Sequence, residues 1–164
     1  MKFAIPQRKS VLRTVFSRAS SESAPPLPER VIPAGLHGSV QLRHVDTGSC
    51  NGCEIEIASA FAPTYDMSRY GVRLVASPRH ADGLLVTGVV TKNMSQPLQR
   101  VLEATPRPRR VIACGDCAIN DGIFGNGHGV DAPLSSFTDI DVEIPGCPPH
   151  PDDIIAALRR MSNQ

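Results

Sequence analysis

Gly83-Leu84-Leu85-Val86-Thr87 and Val111-Ile112-Ala113-Cys114 are short apolar runs with no polar alternation. A strand of this kind is buried on both faces, the condition of a parallel sheet covered by helices on either side. Val40-Gln41-Leu42-Arg43-His44-Val45 alternates apolar and polar residues and predicts a further strand. Gly71–Val75 and Asp141–Ile144 predict two more. Between them lie helical patterns: Glu54–Phe61, ending before Pro63; Pro97–Ala104, with Leu98, Val101 and Leu102 on one side; and Pro151–Met161. The last has Pro151 near its first position, Asp152 and Asp153 at its positive end, and Arg159 and Arg160 at its negative end. Strands alternating with helices predict an α/β fold, a flavodoxin-like doubly wound, mostly parallel sheet.

Residues 1–38 read differently. They carry six basic and two acidic residues, a net of +4 in a chain whose whole formal charge is +1. Val11, Leu12, Val15 and Phe16 recur at helical spacing beside Arg13 and Arg18, and the stretch 20–33 is rich in Ser and Pro. The expected organisation is a basic N-terminal arm and linker over 1–38, followed by one α/β domain over 39–164. The arm would dock on a partner or on anionic lipid headgroups, or be a frayed terminus that packs nowhere; a transit peptide is a weaker fit, given Glu22 and Glu29.

Composition removes several functions. The near-neutral balance gives no global electrostatic case for nucleic acid binding, and with 4% aromatic residues and no Trp, base-stacking surfaces are scarce. No stretch approaches the roughly 20 apolar residues of a membrane-spanning helix, and no secretory signal is visible. Five cysteines are a poor disulfide framework, so a reducing compartment and metal or redox chemistry are expected.

The cysteines follow strands. Cys50 and Cys53 come after the first, Cys117 after Val111–Cys114, and Cys147 after Asp141–Ile144. In an open parallel sheet the carboxyl ends of the strands share one edge, where ligands bind. Distant loops therefore bring thiols to one place, with Gly48, Gly52, Gly115 and Gly146 allowing close backbone approach. Spacing alone leaves two readings open. A zinc ion on Cys50, Cys53, Cys114 and Cys117 would use paired C-x-x-C knuckles. A four-iron cluster would take more widely spread thiols, and Cys147 in its Gly-Cys-Pro-Pro setting favours it. Cys114, still within a buried strand, also suits a small buried hydrophobe.

Three ordered motifs, Gly48-Ser49-Cys50-Asn51-Gly52-Cys53-Glu54-Ile55-Glu56, Gly115-Asp116-Cys117-Ala118 and Ile144-Pro145-Gly146-Cys147-Pro148-Pro149, resemble the small, cluster-bearing subunit of group 4 energy-converting [NiFe] hydrogenases and formate hydrogenlyase. That family includes the complex I subunit carrying the last cluster before quinone. Residues 62–71, 76–82 and 87–91 are similar to it too, and the resemblance runs from about residue 40 to 160.

The resemblance implies one [4Fe–4S] cluster ligated by Cys50, Cys53, Cys117 and Cys147, with Cys114 a spare. Two residues between Cys50 and Cys53, where complex I subunits have adjacent cysteines, resemble the hydrogenase branch. The implied role is an oxidoreductase subunit, relaying electrons to or from the active site of a hydrogenase-type large subunit. The other implied partners are a ferredoxin-like iron–sulfur subunit and membrane subunits, with the complex on the cytoplasmic, inner face of the cell membrane. A complex I-type subunit passing electrons to quinone is the alternative. Glu56 matches a family Glu implied in proton transfer, or else makes an interface ion pair. Glu54 reads as a solvated or dipole-favoured neighbour, and Asp116 as a charge near the cluster or a loop hydrogen bond. His128 and His150 lie nearest the cysteine loops, but four thiols suffice. Arg79 and His80 fit surface ion pairing, beside a proton or quinone role implied by likeness to complex I.

Overall fold

A computed structural model describes residues 38–125 and 127–162. The expected basic helix and the Pro/Ser-rich linker lie outside them. The elements run β1 (Val40–Asp46), α1 (Gly52–Phe61), β2 (Val72–Leu74), β3 (Gly83–Thr87), α2 (Ser95–Ala104), β4 (Arg110–Cys114), α3 (Asp116–Asn120), β5 (Val142–Ile144) and α4 (Pro151–Ser162). The five strands form one sheet in the order β2-β1-β3-β4-β5, and every neighbouring pair is parallel. This is the doubly wound order of flavodoxin-like sheets, with its switch point between β1 and β3.

The two unbroken runs are the centre of the sheet. All five residues of β3 are buried, and so are the last four of β4. Successive side chains point to opposite faces, and the core divides accordingly. Leu85, Ile112, Cys114 and Ile144 pack with Ile57 of α1 and Ile154 and Leu158 of α4. Leu84, Val86, Val111 and Ala113 pack on the other face with Leu98 and Leu102 of α2 and Ala118 of α3. Each fully buried Leu or Ile contributes about 1.5–3 kcal/mol by leaving water.

The elements differ from sequence expectation mostly at their ends. Helix α2 begins at Ser95, two residues ahead of Pro97; proline is accommodated because first-turn N–H groups have no intrahelical acceptor. β5 starts at Val142, and Asp141 just ahead of it uses its side chain on β4. Its carboxylate accepts from the Val111 amide at 2.9 Å and from Arg110 Nη1 at 2.6 Å, closing the start of β4. The five-residue α3 and the 3-10 turns at Met67–Tyr70, Pro78–His80, Gly122–Phe124 and Leu134–Ser136 were not legible as elements. Arg79 and His80 are exposed in the turn leading to the amino end of β3, and neither makes an ion pair among the described residues, against the expectation of surface pairing.

Candidate metal centre

The loops after β1, β4 and β5 meet at the carboxyl edge of the sheet. After β1 the chain turns sharply. Asp46 Oδ1 accepts from the amides of Gly48 and Ser49, both at 2.8 Å. Burial pushes the Asp46 carboxyl up, but the hydrogen bonds from Ser49 and Gly48, with the nearby His44, together hold it below the usual carboxylate range. Thr47 is fully buried and donates to the Thr87 carbonyl at 2.8 Å, tying this turn to the end of β3. Cys50 stands exposed on the loop; Cys53, in the first turn of α1, is buried with Ile57 and Ala60 on the face toward the sheet.

The other two loops are stapled together. The Gly115 amide donates to the Ile144 carbonyl at 2.8 Å and the Asp116 amide to the Gly146 carbonyl at 2.9 Å. The Gly146 amide returns a bond to Asp116 Oδ1 at 2.7 Å. Asp116 makes the expected loop hydrogen bond, and its charge also acts on the Cys117 thiol. Cys117 is half-buried and Cys147 exposed. A Cβ on Gly52 would meet both Cys50 Sγ at 3.5 Å and Pro148 Cβ at 3.7 Å, so the first loop abuts the third.

The sulfurs share one electrostatic environment. Burial raises the Cys117 thiol, and the nearby Cys147, Cys50 and Cys53 sulfurs raise it further because like charges disfavour ionisation. Cys114 is fully buried at the end of β4, and the neighbouring Cys53 sulfur together with burial holds its thiol above the ordinary value. The loops carrying Cys50 and Cys53, Cys117 and Cys147 thus meet at one edge of the sheet, while Cys114 lies within β4.

No three His, Cys, Asp or Glu side chains among the described residues come close enough to enclose a single metal ion. The donors that the three loops carry at this edge are thiols, the ligand type of both zinc and iron–sulfur groups.

The surrounding polar residues fall differently from expectation. Glu54 is not solvated; its side chain is 17% exposed. Oε1 accepts a hydrogen bond from the Thr87 hydroxyl. Thr87 Oγ1 also lies 2.9 Å from His44 Nε2. With its proton given to Glu54, the hydroxyl accepts from His44, which places the ring hydrogen on Nε2. Burial lowers the His44 pKa, with the Glu54 carboxylate opposing it. Glu54 Oε2 is buried without a hydrogen-bond partner among the described residues. This file of His44, Thr87 and Glu54 beside Cys53 was missed in the sequence, where its members stand up to 43 residues apart; only the Glu next to a cysteine gave a signal. Glu56 is half-buried and faces Tyr65, whose hydroxyl is held high by burial first and then by Asp152 and Glu56. His128 and His150 are exposed. The His128 carbonyl accepts from Lys92 Nζ at 2.7 Å, and His150 Nδ1 lies 3.4 Å from Asp152.

The chain is 50% identical over 112 residues to the probable membrane-bound hydrogenase subunit mbhJ of Pyrococcus furiosus, covering 68% of this chain and 67% of that one. It is 44% identical over 113 residues to formate hydrogenlyase subunit 7 of Escherichia coli, covering 69% of this chain and 44% of that one. Among solved structures, a chain of the membrane-bound sulfane sulfur reductase, an archaeal respiratory membrane complex, superposes with a TM-score of 0.65 at 31% identity, over 77% of this chain and 72% of that chain. The family model described as NADH ubiquinone oxidoreductase, 20 Kd subunit, matches residues 50–161. With all the cysteines and the sheet from β2 onward inside that match, the chain belongs to this family of oxidoreductase subunits.

Proposed function

We propose that the protein is the electron-relay subunit of a membrane-associated, hydrogenase-like complex and holds one [4Fe–4S] cluster on Cys50, Cys53, Cys117 and Cys147. What supports this reading is that the loops of Cys50 and Cys53, Cys117 and Cys147 meet at one sheet edge, the last two joined by the Asp116–Gly146 hydrogen bonds. Such a cluster supplies one-electron transfer at a potential set by charge, hydrogen bonds to sulfur and exclusion of water.

The chain's own part is to position and shield. Gly115 and Gly52 leave room for sulfur, the Asp116–Gly146 bond fixes two ligand loops relative to each other, and the body of the sheet excludes water behind Cys53. The partners of this reading are a hydrogenase-type large subunit, a ferredoxin-like iron–sulfur subunit and membrane subunits, with the assembly at the cytoplasmic face of the cell membrane. No helix among the described residues is long and apolar enough to cross a membrane. The domain is taken as 39–164 and the basic arm as 1–38, with Glu56 the candidate for moving protons toward the large subunit.

The family model itself favours a second reading, a complex I-type subunit delivering electrons to quinone. The C-x-x-C spacing of Cys50 and Cys53 and the 50% identity to a hydrogenase subunit weigh toward the first.

Anaerobic purification of the complex through a tag on this chain tests both. Iron and acid-labile sulfide at about four each per chain, with a paramagnetic signal on reduction that Cys117→Ser abolishes or alters, is the expected result. Stoichiometric zinc and no visible absorbance would overturn it. A nickel-bearing co-purifying subunit selects the hydrogenase reading, and a quinone-reducing assembly without nickel selects the second.

A further inference from the structure

All the strands are parallel, so their amino ends share the sheet edge opposite the cysteine loops. Arginines gather there. Arg69 lies in the turn before β2, Arg79 with His80 in the turn before β3, and Arg107 just ahead of β4, all exposed. Arg159 stands in the last turn of α4. That helix ends at the same edge, where the Ser162 carbonyl accepts from the Gly38 amide at 3.2 Å, just before β1. Arg110 is paired with Asp141 at 2.6 Å, and the Asp82 carboxylate is taken by the Gln41 amide at 2.8 Å. Arg69, Arg79 and Arg107 make no ion pair among the described residues. The guanidiniums of Arg69 and Arg159 lie instead over the ring of Tyr70, at 4.7 and 4.3 Å from its centroid. Arg159 Nε is buried there with no hydrogen-bond partner among the described residues. Asp66, Glu103 and Asp139 are the exposed carboxylates left at this edge, and they leave it net positive. The carboxyl edge has the opposite sign: Asp46, Asp116, Asp152 and Asp153 stand there among the thiol loops. Residues 1–38, with their net charge of +4, join the domain at the cationic edge, and in sequence Lys9, Arg13 and Arg18 stand beside Val11, Leu12, Val15 and Phe16.

We propose that the amino edge of the sheet is a docking surface for the anionic headgroups of a lipid bilayer. The inference rests on the membrane-associated reading above and deepens it by giving this chain its own contact with lipid; it does not depend on the metal centre. Cations without carboxylate partners raise the positive potential of a surface and draw anions to it. Here they are spread over the entrances of three strands and the end of a helix, the layout of a broad charged plane. In the segment joined to that edge, apolar residues stand between the basic ones, the composition that binds anionic leaflets. Each basic residue brought to such a surface is worth about fivefold in binding at low salt, and salt screens the attraction.

The test is co-sedimentation of the purified full chain with vesicles of phosphatidylglycerol and phosphatidylcholine, against vesicles of phosphatidylcholine alone. Binding to the first kind only, falling as salt is raised, is the expected result. Arg79→Gln and Arg107→Gln are each expected to weaken it about fivefold. Lys92→Gln is expected to leave it unchanged, because Lys92 is held by the His128 carbonyl away from the arginine edge. Equal binding to both kinds of vesicle would overturn the inference, as would undiminished binding in both arginine variants or an equal loss in Lys92→Gln. Absence of vesicle binding would overturn it as well; if Arg79→Gln and Arg107→Gln then release an acidic subunit from the purified complex, the edge is a protein interface. Iron content and the paramagnetic signal of the complex report on the electron-relay reading separately, so its failure is distinguishable from the failure of this one.

Discussion

The carboxylate of Asp116 accepts the Gly146 amide at 2.7 Å across thirty residues of sequence. This bond, with the Asp116 amide returning to the Gly146 carbonyl, sets the distance between the loop of Cys117 and the loop of Cys147. Asp116→Ala removes one side of the staple and leaves an amide unpaired. The expected loss is about 1.5–3 kcal/mol of stability, together with faster release of iron on dilution into chelator. Asp116→Asn keeps an acceptor oxygen and is expected to fall between the two. Chelator-challenge kinetics and denaturant unfolding measure both effects.

Gly115 is required by sulfur. A side chain there faces both a positive φ and a contact of 2.5 Å to Cys53 Sγ. The backbone strain alone costs of order 1–3 kcal/mol, and the displaced sulfur is expected to prevent reconstitution of the metal centre. A Cβ on Gly129 would meet nothing within 4 Å, and Gly129→Ala is the matched control. Equal iron retention in the two variants would contradict this account.

His44 gives the fold a direction of pH dependence. Its folded pKa lies below the ordinary 6.5 because of burial. The unfolded chain therefore takes the proton first as pH falls. The contribution of neutral His44 is fully present above the ordinary value and is lost with acid down to the lowered one. Urea unfolding between pH 7.5 and about pH 5 is expected to show a shallower decline in His44→Gln, which keeps a donor for Thr87 but does not titrate. An identical slope in both proteins would exclude His44 as a source of the acid sensitivity.

The rim of the cysteine site is apolar and open. Ile123 is 81% exposed, with Ile55 and Phe124 also outward, and a hollow of about 350 Å³ beside Cys50 is lined by Val89, Phe124 and Val130. In the proposed assembly this rim meets the large subunit. Ile123→Asp is expected to lower the yield of co-purified large subunit severalfold while changing thermal unfolding of the chain little, since surface substitutions usually fall within about 0.5 kcal/mol. Undiminished co-purification would place the contact elsewhere.

Much of this molecule is written locally. The runs at 83–86 and 111–114 have no polar residue to turn outward, which marks them as central strands buried on both faces. Helix α4 carries its own end signals in Pro151, Asp152 and Arg159. Motif resemblance selected Cys117 over Cys114; spacing did not.

The sequence by itself determined the alternation of strands and helices and the position of each thiol loop just past a strand, because these follow from propensity and hydrophobic period within a few residues. Only the tertiary structure decided that Glu54 leaves solvent for the Thr87 hydroxyl, that His44 reaches Thr87, and that Asp116 ties down Gly146. Each of those contacts joins residues 30 or more positions apart, and their meeting depends on strand order and register. Many different pairings of the same strands would satisfy the local pattern equally well, and packing of the whole core selects among them.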